Sequence, residues 1–117
     1  MKKILLVEDV DMNIDLLTQL LEDEYELAVA KDGLQAIELF DTFHPDLILM
    51  DINLPIMDGY EVVAQIRPMN TSIPIIGVSA HAMQGDAEKA VSRGFTDYLT
   101  KPINEDLLFT KIQQHIG

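Results

Sequence analysis

Five side chains whose types could carry chemistry stand at the ends of short runs of β-prone residues. They are Glu8, Asp9, Asp51, Ser79 and Lys101. Ligands of an open α/β sheet bind outside the carboxyl ends of its strands, so we expect these side chains to share one site. Three carboxylates at close range repel one another unless a cation offsets them. Since no histidine or cysteine stands at these positions, the ligands would be oxygen atoms, which favour Mg²⁺, Ca²⁺ or Mn²⁺.

Magnesium fits this set best because the site supplies few protein ligands. Mg²⁺ usually keeps several water molecules and leaves room for a substrate phosphate. One acidic residue in such a place would usually be an ordinary solvated loop residue. Acids, a serine and a lysine at four successive strand ends instead predict a functional site.

The elements that must position these residues alternate along the chain. Short β-prone runs occur at residues 4–7, 25–30, 46–50, 75–78 and 96–101. Apolar residues with helical spacing follow each run, such as Ile14, Leu17 and Leu21 after the first, and Met83, Ala87 and Ala90 after the fourth. Five strand-then-helix units predict right-handed crossovers and a parallel sheet with helices on both faces.

The polarity of the runs predicts the strand order. The first, third and fourth runs contain no polar residue within 4–7, 47–50 and 75–78, as expected of strands covered on both faces. The second and fifth runs include polar residues and suit the edges. This pattern indicates a flavodoxin-like α/β fold, a doubly wound (βα)5 sheet in the order 2-1-3-4-5. Strands one and three would then bring Glu8, Asp9 and Asp51 together.

Length, charge and composition limit the possible functions. The chain has 117 residues, which predicts a single domain over residues 1–117. A net charge of −12 argues against direct binding of nucleic acid and against docking on anionic membranes. No apolar run approaches the ~18 residues of a membrane span, and there is no cysteine. We expect a soluble, cytoplasmic protein.

Several short motifs resemble those of the bacterial response-regulator receiver domains. They are residues 6–9 (LVED), 45–51 (PDLILMD), 54–59 (LPIMDG), 79–80 (SA) and 97–102 (DYLTKP). Each motif alone would be weak evidence, whereas all of them in this order, at strand ends, are specific. The resemblance covers the whole chain, which could be a stand-alone receiver or a part of a hybrid kinase.

The resemblance implies a role for each candidate residue. Asp51 would be the phosphoacceptor, a nucleophile that becomes an aspartyl phosphate. Asp9, Asp51 and the backbone carbonyl of Asn53 would bind Mg²⁺, with Glu8 acting through a metal-bound water. Lys101 and Ser79 would contact the phosphoryl oxygens.

The resemblance also implies a conformational switch and a special peptide bond. Tyr98 resembles the family's switch aromatic, which fills the space that Ser79 leaves when it moves towards a phosphoryl group. Alternatively, Tyr98 is an ordinary half-buried tyrosine of an edge strand with no switching role. The Lys101–Pro102 bond would be cis, although trans is the better expectation from sequence alone. We expect His44, His81 and His115 to be surface residues, and His81 could line the mouth of the site.

Three functions deserve comparison. A phosphoaccepting switch would catalyse only its own phosphorylation, from a histidine kinase or a histidine phosphotransfer protein, and its own slow hydrolysis. A phosphatase of the haloacid-dehalogenase type would want an aspartate where Asn53 stands, and asparagine is a poor general acid. A degenerate receiver, which binds partners without being phosphorylated, would usually have lost one of the site's acids or the lysine. None of these residues is lost here. The phosphoaccepting switch fits the sequence best. We therefore expect a signalling switch and not an enzyme that turns over a free substrate.

The first helix offers more apolar residues than one buried stripe needs. Ile14, Leu17 and Leu21 fit an inward stripe, which leaves Met12 and Leu16 to face outward near the site. We therefore expect the phosphodonor protein to dock at helix one and the strand-end loops. The output partner stays unknown.

Overall fold

The computed structural model describes residues 1–80 and 85–117. Its strands are β1 (Lys3–Val7), β2 (Glu26–Ala30), β3 (Leu47–Asp51), β4 (Ile75–Ser79) and β5 (Asp97–Thr100). Its helices are α1 (Asp11–Leu21), α2 (Gly33–Phe43), α3 (Gly59–Ile66), α4 (Asp86–Ser92) and α5 (Glu105–Ile116). The five strands form one parallel sheet in the order β2-β1-β3-β4-β5, which confirms the predicted flavodoxin-like topology.

Each face of the sheet is covered by its own set of helices. Alternate residues of β1 divide between two apolar clusters, with Leu5 and Val7 in one and Ile4 and Leu6 in the other. The first cluster includes side chains of α2, α3 and α4, and the second includes side chains of α1 and α5. The all-apolar runs of β3 and β4 are buried throughout because helices cover both of their faces.

Local sequence signals fix where the helices begin. The side chains of Asp32, Asp58 and Asn104 each accept a hydrogen bond from the amide three residues later. These N-caps satisfy amide groups that the first helical turn leaves unpaired. Gly94 follows α4 with a φ of 110°, a left-handed conformation that glycine adopts without strain.

Some strand boundaries differ from the sequence-based prediction by one residue. Tyr25 was expected in β2, but its amide donates to the carbonyl of Leu21 and so belongs to the turn after α1. Met83, predicted within the fourth helix, lies outside the described residues, and the helix begins at Asp86. Among the residues that the structure describes, no helix is both long and apolar enough to cross a membrane.

One prediction about the histidines was wrong. His115 is half-buried, and its Nε2 lies 3.2 Å from the Asp97 carboxylate on β5. This partner could not be predicted from residue spacing, because the two residues meet only when α5 packs on β5. His44 is exposed and ends α2 in a left-handed conformation, whereas His81 lies outside the described residues.

Candidate functional site

Three carboxylates meet at the carboxyl ends of β1 and β3. Oxygen atoms of Glu8, Asp9 and Asp51 all lie within 4.8 Å of one another. The parallel register places Val7 of β1 beside Met50 of β3, so the residues that follow each come together at one edge of the sheet. Glu8 and Asp51 are only 3% and 5% exposed, whereas Asp9 faces solvent.

Lys101, the residue after β5, supplies a positive charge to this acidic group. Its Nζ lies 3.0 Å from Oε1 of Glu8 and 3.1 Å from Oδ2 of Asp51. Burial lowers the pKa of Lys101, but its hydrogen bonds to Glu8 and Asp51 outweigh that effect and hold the pKa above its usual value. Lys101 is therefore a fully charged partner of the two buried acids.

The two buried carboxylates are also held by backbone amides. Oε2 of Glu8 accepts from the amides of Asp9 and Val10, and Oδ1 of Asp51 accepts from the amide of Asn53. Burial, together with the charge of Asp51, raises the pKa of Glu8 above its usual value, although the amide of Val10 and the Lys101 ammonium lower it. The pocket thus holds Glu8 in a setting that disfavours its charge.

The donor set fits a divalent cation. Three carboxylates against one ammonium leave two negative charges, which is the charge that one such ion would neutralise. The ligands are oxygen atoms, and exposed Asp9 leaves one side of the group open to water or phosphate. These observations agree with Mg²⁺ as the ion that the sequence predicts.

Ser79 and Asn53 complete the floor of the site beside Asp51. Ser79 ends β4, and its hydroxyl accepts a hydrogen bond of 3.1 Å from the side-chain amide of Asn53. The sequence assigned only the backbone carbonyl of Asn53 and gave no indication of this contact. The backbone amide of Lys101 donates to the carbonyl of Ser79, and the Lys101–Pro102 peptide bond is cis.

Tyr98 lies in the middle of β5, half-buried on the face that carries α3 and α4. Its side chain and that of Ser79 line the same cleft. The geometry therefore places the predicted switch residue next to the predicted site, although its movement stays a prediction.

The sequence model for the response regulator receiver domain matches residues 4–113 of this chain. The chain belongs to the response regulator receiver domain family. This receiver domain is 38% identical to the polar-differentiation response regulator DivK of Brucella ovis, over 99% of this chain and 97% of that protein. It is also 42% identical to hybrid signal transduction histidine kinase I of Dictyostelium discoideum, over 98% of this chain. There the receiver domain spans only 7% of the relative's length.

Solved structures of other receiver domains match this one closely. One is the receiver domain of a sensor histidine kinase from Pseudomonas aeruginosa PAO1, solved with a magnesium ion in its active site cleft. It superposes with a TM-score of 0.90 at 37% identity, over 99% of this chain and 98% of that one. Another is the Saccharomyces cerevisiae receiver domain of Ssk1, bound to the histidine phosphotransfer protein Ypd1. It superposes with a TM-score of 0.90 at 31% identity, over 97% of this chain and 88% of that one.

Proposed function

We propose that this receiver domain accepts a phosphoryl group on Asp51 from a phosphohistidine of a histidine kinase or a histidine phosphotransfer protein. The observation that carries the proposal is the setting of Asp51. Its buried carboxylate lies within 4.8 Å of two other carboxylates and 3.1 Å from the Lys101 ammonium. Such a pocket combines a nucleophile with the charges that phosphoryl transfer needs.

The proposed transfer exchanges one bond to phosphorus for another. A carboxylate oxygen of Asp51 attacks the phosphorus in line with the histidine nitrogen, and the nitrogen–phosphorus bond breaks. The bonding electron pair returns to the imidazole, which takes up a proton from solvent. Lys101 then faces the new phosphoryl oxygens with a charge that it already directs at Asp51. Ser79 donates its hydroxyl to another of those oxygens.

A divalent cation completes the site in this proposal. Asp9, Asp51 and the backbone carbonyl of Asn53 would hold Mg²⁺, and Glu8 would act through a water molecule. When bound, the ion supplies positive charge that neutralises the carboxylates and the phosphoryl oxygens. The net charge of the four side chains and the magnesium in the Pseudomonas neighbour both support this assignment.

The domain acts as a switch that turns over only its own phosphoryl group. Water attack on the aspartyl phosphate breaks the oxygen–phosphorus bond and restores Asp51, and we expect this hydrolysis to be slow. The alternative of a phosphatase is not supported, because that activity would need a carboxylic acid as general acid at position 53. Asn53, whose backbone amide bonds to Asp51, has only a side-chain amide there. Movement of Ser79 and Tyr98 signals the phosphorylated state to an output partner, within the cytoplasm. A single domain over residues 1–117 suffices for these steps.

The phosphodonor protein docks on the side of β1, β2 and β3 in this proposal. Exposed apolar residues on that side are Val10, Met12, Leu16, Leu34 and Ile56. Asp11 at the start of α1 pairs with Lys31 after β2 at 2.6 Å, so these two loops adjoin. A Cβ at Gly33 would lie 2.9 Å from that of Met57, so the start of α2 touches the loop after β3. The starts of α1 and α2 and the loop after β3 therefore adjoin one another, and we call this region the rim of the site.

Met12 is the residue on this rim whose role is tested most directly. It is 79% exposed on α1, and Leu16 one turn later is 49% exposed, while Leu17 and Leu21 are buried in the core as predicted. The donor histidine must reach Asp51 in line, so its protein must cover the strand-end loops next to Met12. The complex of the Ssk1 receiver with Ypd1 supports a partner of this kind.

Mass spectrometry tests the acceptor. With Mg²⁺ and acetyl phosphate, the intact protein should gain one acid-stable, base-labile phosphoryl group, and Asp51→Asn should gain none. Asp46→Asn is a matched control, since Asp46 is exposed and lies at the other end of β3. Equal labelling of Asp51→Asn and the wild-type protein would refute Asp51 as the acceptor.

A second comparison tests the docking surface. Met12→Lys should slow transfer from the cognate phosphohistidine protein by more than about tenfold, because it places a desolvated charge in the interface. Labelling by acetyl phosphate should stay within about twofold, and Val91→Lys on α4 should behave like the wild type with both donors. Equal slowing with both donors would instead indicate damage to the pocket.

A further inference from the structure

The side-chain amide of Asn13 has no part in the roles proposed above, yet it contacts the acidic pocket. Asn13 lies in the first turn of α1, half-buried, and its Nδ2 donates to Oε1 of Glu8 at 3.3 Å. An ionised carboxylate only accepts hydrogen bonds, so the NH₂ end of the amide is the end that faces Glu8. Asn13 therefore joins α1 to the pocket through a side chain.

Glu8 accepts four hydrogen bonds from the residues that the structure describes, two on each oxygen. Oε2 accepts from the backbone amides of Asp9 and Val10, which the turn after β1 holds in place. Oε1 accepts from two side chains, Lys101 at 3.0 Å and Asn13 at 3.3 Å. Glu8 is only 3% exposed, so water does not readily replace a donor that Oε1 loses.

The two donors of Oε1 differ in what else they bind. Lys101 also donates to Oδ2 of Asp51 at 3.1 Å, so the two buried acids share this ammonium. A phosphoryl group on Asp51 brings about two negative charges close to it. Lys101 should then be drawn towards the phosphoryl oxygens and away from Glu8. The amide of Asn13 carries no charge, so its bond to Glu8 does not depend on the charge at Asp51.

An interaction accelerates a reaction only when it is stronger in the transition state than in the ground state. Before transfer, Oε1 of Glu8 has two donors and keeps one if the other is lost. During transfer, Asn13 becomes its main donor because Lys101 turns to the phosphoryl group. Removing the amide would leave a buried carboxylate oxygen unpaired at that stage, and a hydrogen bond to a charged group is worth about a factor of ten or more.

We propose that Asn13 is a positioning residue for phosphoryl transfer, which holds Oε1 of Glu8 while Lys101 moves from Glu8 to the phosphoryl group. This inference rests on the proposed transfer to Asp51. Asn13 contacts neither the phosphoryl group nor the metal ion in this role and acts only through Glu8. The first turn of α1 thereby takes part in the transfer step.

Labelling rates and magnesium binding, measured separately, test this role. Asn13→Leu keeps a side chain of similar length without a hydrogen-bond donor. Gln19→Leu is the matched control, since it removes an exposed amide from the same helix. Thermal melts over a range of Mg²⁺ concentrations give the dissociation constant of the ion and show, in EDTA, that each variant folds. Intact mass gives the rate of labelling by acetyl phosphate at saturating Mg²⁺.

In Asn13→Leu, labelling at saturating Mg²⁺ should be about tenfold slower than in the wild-type protein. The dissociation constant of Mg²⁺ should change by less than about threefold, because Lys101 still holds Glu8 before transfer. Gln19→Leu should match the wild type in both measurements. Asn13→Ala is a second variant with the same expected results, should leucine disturb the packing of α1.

A double-mutant cycle with Glu8→Gln isolates the contact between the two side chains. Because Asn13 acts through the charged carboxylate, Asn13→Leu should slow labelling by less than about twofold when Glu8 is already glutamine. A tenfold loss that persists in that background would overturn the inference, since Asn13 would then act on another group.

Two other results would also overturn the inference. One is labelling of both Asn13 variants at the wild-type rate. The other is an equal loss of magnesium affinity and labelling rate, which would show that Asn13 supports the metal site and not the transfer step. The proposed function survives each of these results as long as the wild-type protein is labelled on Asp51. A wild-type protein that gains no phosphoryl group would refute the proposed function, and this inference with it.

Discussion

Replacing Asp9 by asparagine should stabilise the metal-free protein and weaken its response to Mg²⁺. Asp9 is exposed, and its oxygen lies within 4.8 Å of oxygens of Glu8 and Asp51. Asparagine has nearly the same shape and removes one of the three negative charges. The change therefore separates charge repulsion in the pocket from packing, which it leaves alone.

The size of the effect follows from Coulomb's law. Two unit charges 4.8 Å apart repel by about 1 kcal/mol in water. Asp9 faces two such charges, and Lys101 offsets part of the repulsion, so we expect a net gain of about 1 kcal/mol in the free energy of unfolding. For a domain of this length that gain raises the melting temperature by about 4 °C.

Magnesium should cancel this stability advantage of Asp9→Asn. An ion at a hundred times its dissociation constant adds about 2.7 kcal/mol to the wild-type free energy of unfolding, or about 10 °C. Loss of a charged ligand weakens binding by at least about tenfold, which cuts the shift in Asp9→Asn to about half or less.

Thermal melts followed by circular dichroism, in EDTA and in Mg²⁺, measure both effects. Asp23→Asn is the control for net charge, since Asp23 is exposed in the turn between α1 and β2 and should respond to Mg²⁺ like the wild type. A lower melting temperature of Asp9→Asn in EDTA would contradict the idea of a repulsive acidic pocket. An undiminished magnesium shift in that variant would remove Asp9 from the set of metal ligands.

Two further predictions concern stability away from the pocket. Burial raises the pKa of Asp97, but hydrogen bonds from Lys111, its neighbouring amide and His115 together hold that pKa below its usual 3.8. The stability that Asp97 contributes is therefore present above its unfolded pKa and lost as the pH falls below it. Asp97→Asn should be less stable than the wild type at pH 7, and urea titrations should show the difference shrinking from about pH 4 downwards. Ile56 is 85% exposed with a φ of 67°, which strains a β-branched residue, so Ile56→Gly should gain about 0.5–1 kcal/mol in the same titrations and Ile56→Ala should gain nothing.

The sequence predicts the fold well because burial of the strands is visible in their composition. The central strands β1, β3 and β4 are buried almost throughout, and their apolar runs predicted both their position and the strand order. Boundaries were less certain because they depend on single hydrogen bonds. Thr96, for example, has a β-branched side chain that suits a strand, yet it lies just outside β5. Its hydroxyl accepts a hydrogen bond from the amide of Ile75.

Strand ends also predicted which acids would meet, because the topology alone brings them to one edge. Contacts that depend on the length and rotamer of side chains could not be foreseen in this way. Lys101 reaches Asp51 although β4 separates their strands, and the side-chain amide of the exposed Asn53 donates a hydrogen bond to Ser79. Neither of these two contacts can be predicted from the spacing of the residues along the sequence.

The cleft beside Ser79, lined among others by Tyr60 and Lys89, shows why packing around a site is harder to predict from sequence than the acidic residues of the site. Tyr60 and Lys89 belong to different helices, and each would be read as an ordinary surface residue in its own segment. They meet because Gly77 lets Phe95 approach β4 so closely that Tyr60 can pack on it beneath α4. The acidic residues stand at fixed strand ends, whereas the shape of this cleft depends on side-chain packing between separate elements.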